Sequence, residues 1–229
     1  MKVAAAQISC SLGDPKANLL KVRDFSREAR DTGVELIVFP EMTDTGYSMS
    51  VIDVHANSWT SGFVPGLQQI AAKYRKTHLY AVAPVEEQKC FASGDAFSSF
   101  ALGNLRFGFS ICYDLRFPEM YRKLAVEQNA GAFIVSSAWP FPRIEHFRTL
   151  VLARAIENQS YVIASNRVGK DGDLWFCGSS AIIDPRGVTV ASASADREEL
   201  IQADLSEELV RSVRDRVESL AHRREDLYK

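Results

Sequence analysis

Apolar residues in this chain recur at two spacings, and the two alternate along it. Val3 to Ile8 is a short, nearly unbroken apolar run, followed by the turn-prone SLGDP. From Asn18 towards Arg30, Leu19, Leu20, Val22 and Phe25 supply one face of a helix that Asn18 can cap. Asp31-Thr32-Gly33 stops it, since glycine accepts the backbone conformation of a helix end. Val34 to Phe39 is again almost wholly apolar, as in a strand covered on both faces. Pro40 ends that run and leaves Glu41 just past the strand tip.

Pro65 to Ala72 predicts another helix, and the second half repeats the alternation. Arg106 to Cys112 predicts a strand, Phe117 to Asn129 a helix, and Ala132 to Ser137 a strand. Ile144 to Gln159 predicts a long helix, with Phe147, Leu150, Val151, Arg154, Ala155 and Asn158 three or four residues apart. Tyr161 to Ser165 is a further strand; DGD at Asp171 to Asp173 and DPRG at Asp184 to Gly187 are turns joining later strands. Ile201 to Ala203 is a last short strand before a polar helix near Ser206. This order predicts one α/β domain over residues 1–229, with mixed strand pairing and a charged C-terminal segment from about residue 206. The charge pattern of that segment favours solvent exposure.

Composition narrows the class. A chain of 229 residues, 46% hydrophobic and 24% charged, can bury one sizeable core. A formal charge of -2 gives no electrostatic case for nucleic acid or an anionic membrane surface. No apolar run approaches bilayer length, and MKVAAAQIS reads as a first buried strand rather than a secretory leader. Cys10, Cys90, Cys112 and Cys177 form no CxxC pair, which points to reduced thiols and a cytoplasmic setting. His78, His146 and His222 lack metal-ligand spacing, so neither a metal nor a cofactor is expected. The first strand–helix connection, SCSLGDPKAN, lacks the GxGxxG of a dinucleotide-binding fold.

Three side chains suggest chemistry. Cys112 follows an apolar run in GFSICYDLRFPE, Glu41 ends ELIVFPE, and Lys76 stands in KYRKTHLY. Singly, they read as a buried small hydrophobe, a helix cap and a surface lysine. Together they suit acyl transfer. Glu41 can take the thiol proton and return it to a leaving amine, while Lys76 holds the thiolate and then the oxyanion. The backbone N–H of Tyr113 is a second oxyanion donor by position. The products would be ammonia or an amine, then a carboxylic acid.

With their surroundings, these motifs closely resemble the nitrilase, or carbon–nitrogen hydrolase, superfamily. LIVFPEMTDTGY, YRKTHLY and ICYDLRFPE match its acid, lysine and nucleophile motifs, and EEQKCFASGD its second glutamate, placed at Glu87 rather than Glu86. The likeness continues through SSAWPFPRIEHFRTLVLARAIENQSYVIASNRVG, SSAIIDPRG and RREDLY, and so covers nearly the whole chain. It implies an αββα sandwich, a cofactor-free amidase, a small-molecule amide and water as reactants, and a homodimer. Glu87 would orient Lys76 or the attacking water. SSAWPFPR with ARAIENQ looks like the ω-amidase-like branch, which acts on 2-oxoglutaramate or 2-oxosuccinamate. There Arg143 can pair with a substrate carboxylate, and Trp139 and Tyr47 can form pocket walls. Each has a structural alternative, an ion pair for Arg143 and core or interface packing for the aromatics. Another amidase, an N-carbamoyl amidohydrolase and a nitrilase are the rival activities.

One departure from the family pattern stands out. GLQQIAAKYRKTHLY runs together what is normally a strand, a hairpin strand and a turn, so about one strand-plus-hairpin unit is missing before Lys73. Either Lys73 onward is the lysine strand, or Ala71 to Glu87 is the strand after the helix and the lysine motif is lost. A catalytically impaired scaffold or partner-binding subunit is the corresponding non-enzymatic reading.

Overall fold

A computed structural model of the chain describes residues 1–55, 74–83 and 85–228. In chain order the elements are β1 (Lys2–Gln7), α1 (Pro15–Asp31), β2 (Leu36–Val38), α2 (Met49–His55), β3 (Ser99–Leu102), β4 (Leu105–Ile111) and α3 (Pro118–Glu127). There follow β5 (Ala132–Ser137), α4 (Ile144–Asn158), β6 (Tyr161–Asn166), β7 (Val168–Asp171), β8 (Leu174–Cys177), β9 (Ala181–Ile183), β10 (Thr189–Ser192), β11 (Glu199–Asp204) and α5 (Glu207–Arg216).

Side chains on a strand alternate between its faces, and here both faces are apolar. Val3 and Ala5 of β1 join Val38, Ile134 and Ile163 in a core between two sheets, whereas Ala6 packs with Val22 and Phe25 of α1. Phe133 and Val135 of β5 turn the other way, onto Leu124 of α3 and Phe147 and Val151 of α4. The result is helix, sheet, sheet, helix: the αββα sandwich. One sheet has the order β11-β1-β2; the other has the order β10-β9-β6-β5-β4-β3, and β7 and β8 form a separate hairpin. Strands β4, β5 and β6 run parallel, as do β1 and β2. Gly108 lets α3 sit close on β4, since a Cβ there would lie 2.9 Å from Leu124 Cδ1 and from Phe133 Cδ1. No described helix is long and apolar enough to cross a membrane.

Several expectations shift. Asp14, not Asn18, caps α1, accepting from Ala17 N at 3.0 Å. Asn18 lies inside the helix, buried, and its amide ties down the backbone of Ser11 and Asp44 instead. Leu20 is exposed rather than part of the apolar face. Residues 74–83 form no strand, so the expected lysine strand is an irregular segment; Pro65–Ala72 and Lys73 lie outside the described residues. Among the described residues the outer edge of β2 has no strand partner. A cleft of about 460 Å³ opens there between Leu36 and Val38 on one side and Phe100 and Phe109 on the other.

Candidate active site

Parallel strands place their C-terminal ends together, and three of the site's segments leave from such ends. Glu41 follows β2, Cys112 follows β4, and Ala138 follows β5. Cys112 is the first residue of a 3-10 turn and has φ +43°, a left-handed conformation that strains a non-glycine residue and often marks functional sites. Met42, next to Glu41, has φ +54°.

Lys76 joins the two glutamates. Its Nζ donates to Glu41 Oε1 at 2.8 Å and to Glu87 Oε1 at 2.7 Å. Glu41 Oε2 accepts from Ala138 N at 3.2 Å; Glu87 Oε1 accepts from Tyr47 Oη at 2.6 Å and Glu87 Oε2 from Tyr80 N at 2.7 Å. Both carboxylates are buried. Glu86 instead pairs with Lys89 at the surface.

The electrostatics follow from burial and from two acids sharing one base. Burial raises the Glu41 carboxyl above its ordinary value; Lys76 opposes this and Glu87 adds to it. For Lys76, burial favours the neutral amine, but Glu41, Cys112 and Glu87 outweigh it and hold the ammonium form. Burial, then the Glu41 charge, push the Cys112 thiol up, against the opposing charge of Lys76. Burial therefore favours the neutral thiol over the thiolate, beside a carboxylate of raised basicity. That arrangement suits deprotonation in step with attack.

With no ladder to hold it, the lysine segment is anchored by side chains. Asp114, fully buried two residues after Cys112, accepts from Tyr74 Oη (2.7 Å), Thr77 Oγ1 (3.0 Å), His78 N (2.9 Å) and Ile111 N (3.0 Å). His78 Nδ1 lies 2.8 Å from the same carboxylate, and its ring stacks on Phe117 at 3.8 Å. Gly94 N donates to Lys76 O at 2.8 Å. A Cβ at Gly94 would lie 2.3 Å from Arg75 O, so only glycine fits there.

A cavity of about 260 Å³ opens over Cys112 and is lined by Tyr47, Tyr113, Arg116, Trp139 and Arg143 among others. The volume suits a small substrate. Tyr47 spends its hydroxyl on Glu87, and its N–H donates to Asp171, which is ion-paired with buried Arg167. Trp139 donates Nε1 to Arg143 O at 2.9 Å. Arg116 lies over the Trp139 ring, 4.7 Å from its centroid. Among the described residues neither Arg116 nor Arg143 has a carboxylate within ion-pair distance. Sequence reasoning missed Arg116, Asp114 and Ser137. The available signal was spacing: Asp114 and Arg116 stand two and four residues beyond Cys112, within the matched motif ICYDLRFPE. Among the described residues no group of three or more His, Cys, Asp or Glu is set to hold a metal ion.

Residues 2–62 and 55–215 match the model of the carbon–nitrogen hydrolase family. A Bacillus subtilis protein named 2-oxoglutaramate amidase is 30% identical over 260 aligned positions, spanning 99% of this chain and 98% of its own. With 229 residues here, about 30 of those positions have no counterpart in this chain. An omega-amidase of Escherichia coli is 31% identical over 94% of each chain. The structure of Saccharomyces cerevisiae Nit3, a member of branch 10 of the nitrilase superfamily, superposes with a TM-score of 0.82 at 26% identity, over 95% of this chain and 94% of that one. An amidase from Nesterenkonia sp. shares the fold, with a TM-score of 0.84 at 24% identity over 100% and 95% of the two chains.

Proposed function

We propose that this chain, which belongs to the carbon–nitrogen hydrolase family, hydrolyses the terminal amide of a small 2-oxo acid, 2-oxoglutaramate or 2-oxosuccinamate. The observation that carries the substrate class is the pair of guanidiniums, Arg116 and Arg143, lining the cavity over Cys112 without a carboxylate partner among the described residues. A planar guanidinium offers a substrate carboxylate two parallel donors. The names of the Bacillus subtilis and Escherichia coli relatives point the same way.

In this mechanism Glu41 takes the Cys112 proton as the sulfur attacks the amide carbonyl. Lys76 and the Tyr113 N–H receive the oxyanion. Glu41 passes the proton to the leaving nitrogen, ammonia departs, and a thioester remains on Cys112. Water, deprotonated by Glu41, then releases the acid. Glu87 keeps Lys76 charged and aimed. The reading includes a homodimer, supported by the exposed apolar Val126 and Ile156 on α3 and α4; a monomer in analytical ultracentrifugation at high concentration would remove that part.

The test is intact-mass spectrometry after brief exposure to 2-oxoglutaramate, with ammonia assayed in the same sample. Ammonia release that falls by at least about 10⁴-fold in Cys112→Ala is the expected result. A folded protein that releases no ammonia rejects this substrate. Activity on a nitrile alone would then favour nitrile chemistry, and inactivity on every amide class a non-catalytic scaffold.

A further inference from the structure

Ser137 ends β5 fully buried, and its hydroxyl has no hydrogen-bond partner among the described residues. Its place is set by register. The last paired residues of β4 and β5 are Ile111 and Ser136, so Cys112, the residue that leaves β4, and Ser137, the last residue of β5, follow directly from paired neighbours. Alternation along β5 puts Ser137 opposite Ser136, whose Oγ donates to Phe39 O on the sheet side, and so on the helix side with Phe133 and Val135, in whose buried cluster Cys112 also lies. The Ser137 hydroxyl thus stands next to the sulfur. An unpartnered buried hydroxyl is unfavourable to the fold, and alanine would serve packing better.

We infer that Ser137 is a catalytic residue whose hydroxyl donates a hydrogen bond to the Cys112 sulfur as the thiol loses its proton. The inference rests on Cys112 being the nucleophile. The S–H bond breaks, its proton goes to the Glu41 carboxylate, and the electron pair stays on sulfur; Ser137 keeps its own proton throughout. A thiol is a weak acceptor and a thiolate a strong one, so this bond strengthens only as charge develops. An interaction made chiefly in the charged state accelerates the reaction rather than merely binding the substrate. Lys76 already shares its charge between Glu41 and Glu87, which leaves room for a second donor.

The test is iodoacetamide alkylation followed by peptide mass spectrometry from neutral to alkaline pH, so that Cys112 is read apart from partly exposed Cys90 and from buried Cys10 and Cys177. This readout needs no knowledge of the substrate. The amide assay on Cys112→Ala tests the nucleophile reading separately. In Ser137→Ala the alkylation profile at Cys112 should move to higher pH, slowing the reaction about 10-fold at neutral pH, with the melting temperature unchanged or raised. Ser137→Thr should recover most of the rate. Equal rates in the parent and Ser137→Ala would overturn the inference, as would a Ser137→Ala protein that melts well below the parent, because that marks a structural hydroxyl.

Discussion

Cys112 and Lys76 meet in one site but are held there by different means. Cys112 leaves β4, one strand in from the edge of a six-stranded sheet, where it is paired on both sides and buried under α3. Lys76 sits in a segment with no strand, and the residues around it, Tyr74, Thr77 and His78, all reach Asp114. A backbone ladder spreads its load over many bonds; a carboxylate anchor concentrates it on one side chain. The position of Cys112 should therefore tolerate single substitutions that displace Lys76.

Lys76→Met should break the comparison hardest. It strands two buried carboxylates, so amide hydrolysis should fall at least about 10³-fold and stability by about 3–5 kcal/mol in denaturant unfolding. Asp114→Asn, which replaces an acceptor oxygen with a donor, comes next. It should lower stability by about 2 kcal/mol and activity by about 100-fold, with hydrogen-exchange protection lost around residues 74–80 and retained in β4 to β6. Equal loss in both regions would show that they form one unit. Arg116→Leu should raise KM about 10-fold or more for a carboxylate-bearing amide and leave a neutral amide nearly unaffected.

The smallest effect concerns charge balance. Glu41 binds its proton more tightly in the fold than in the unfolded chain, since its folded pKa is raised, chiefly by burial. That contribution is complete below the ordinary glutamate value of about 4.3 and is lost as pH rises through the folded value. Glu41→Gln should therefore be inactive yet melt about 2–4 °C above the parent at neutral pH, the equivalent of roughly 1 kcal/mol in a chain this size. The difference should shrink on acidification in a calorimetric series.

Much of this was legible from local pattern. Ala132 to Ser137 is apolar on both faces and became a central strand with the expected bounds. The helix predicted over Ile144 to Gln159 ends at Asn158, with Gln159 in the left-handed conformation. The lysine segment was misread, because YRKTHLY has the composition of a strand and strand formation needs a neighbour to pair with. Asn18 was misread because Asp14 offers an equivalent capping oxygen just before Pro15, and only the fold shows which one is used.

By itself the sequence determined most of the alternation of strands and helices and the kinds of reactive group at the strand ends, because those depend on spacing and side-chain chemistry, while the layering was implied by the family resemblance. The tertiary structure decided the rest. Glu41, Lys76 and Glu87 share charge over separations of 35 and 11 residues, Tyr47 reaches Glu87 over 40, and Cys112 is buried with Phe133 and Val135 of β5. Proximity of this kind comes from sheet register and packing, and burial then sets the protonation states on which the chemistry depends. Neither is a property of any local stretch of chain.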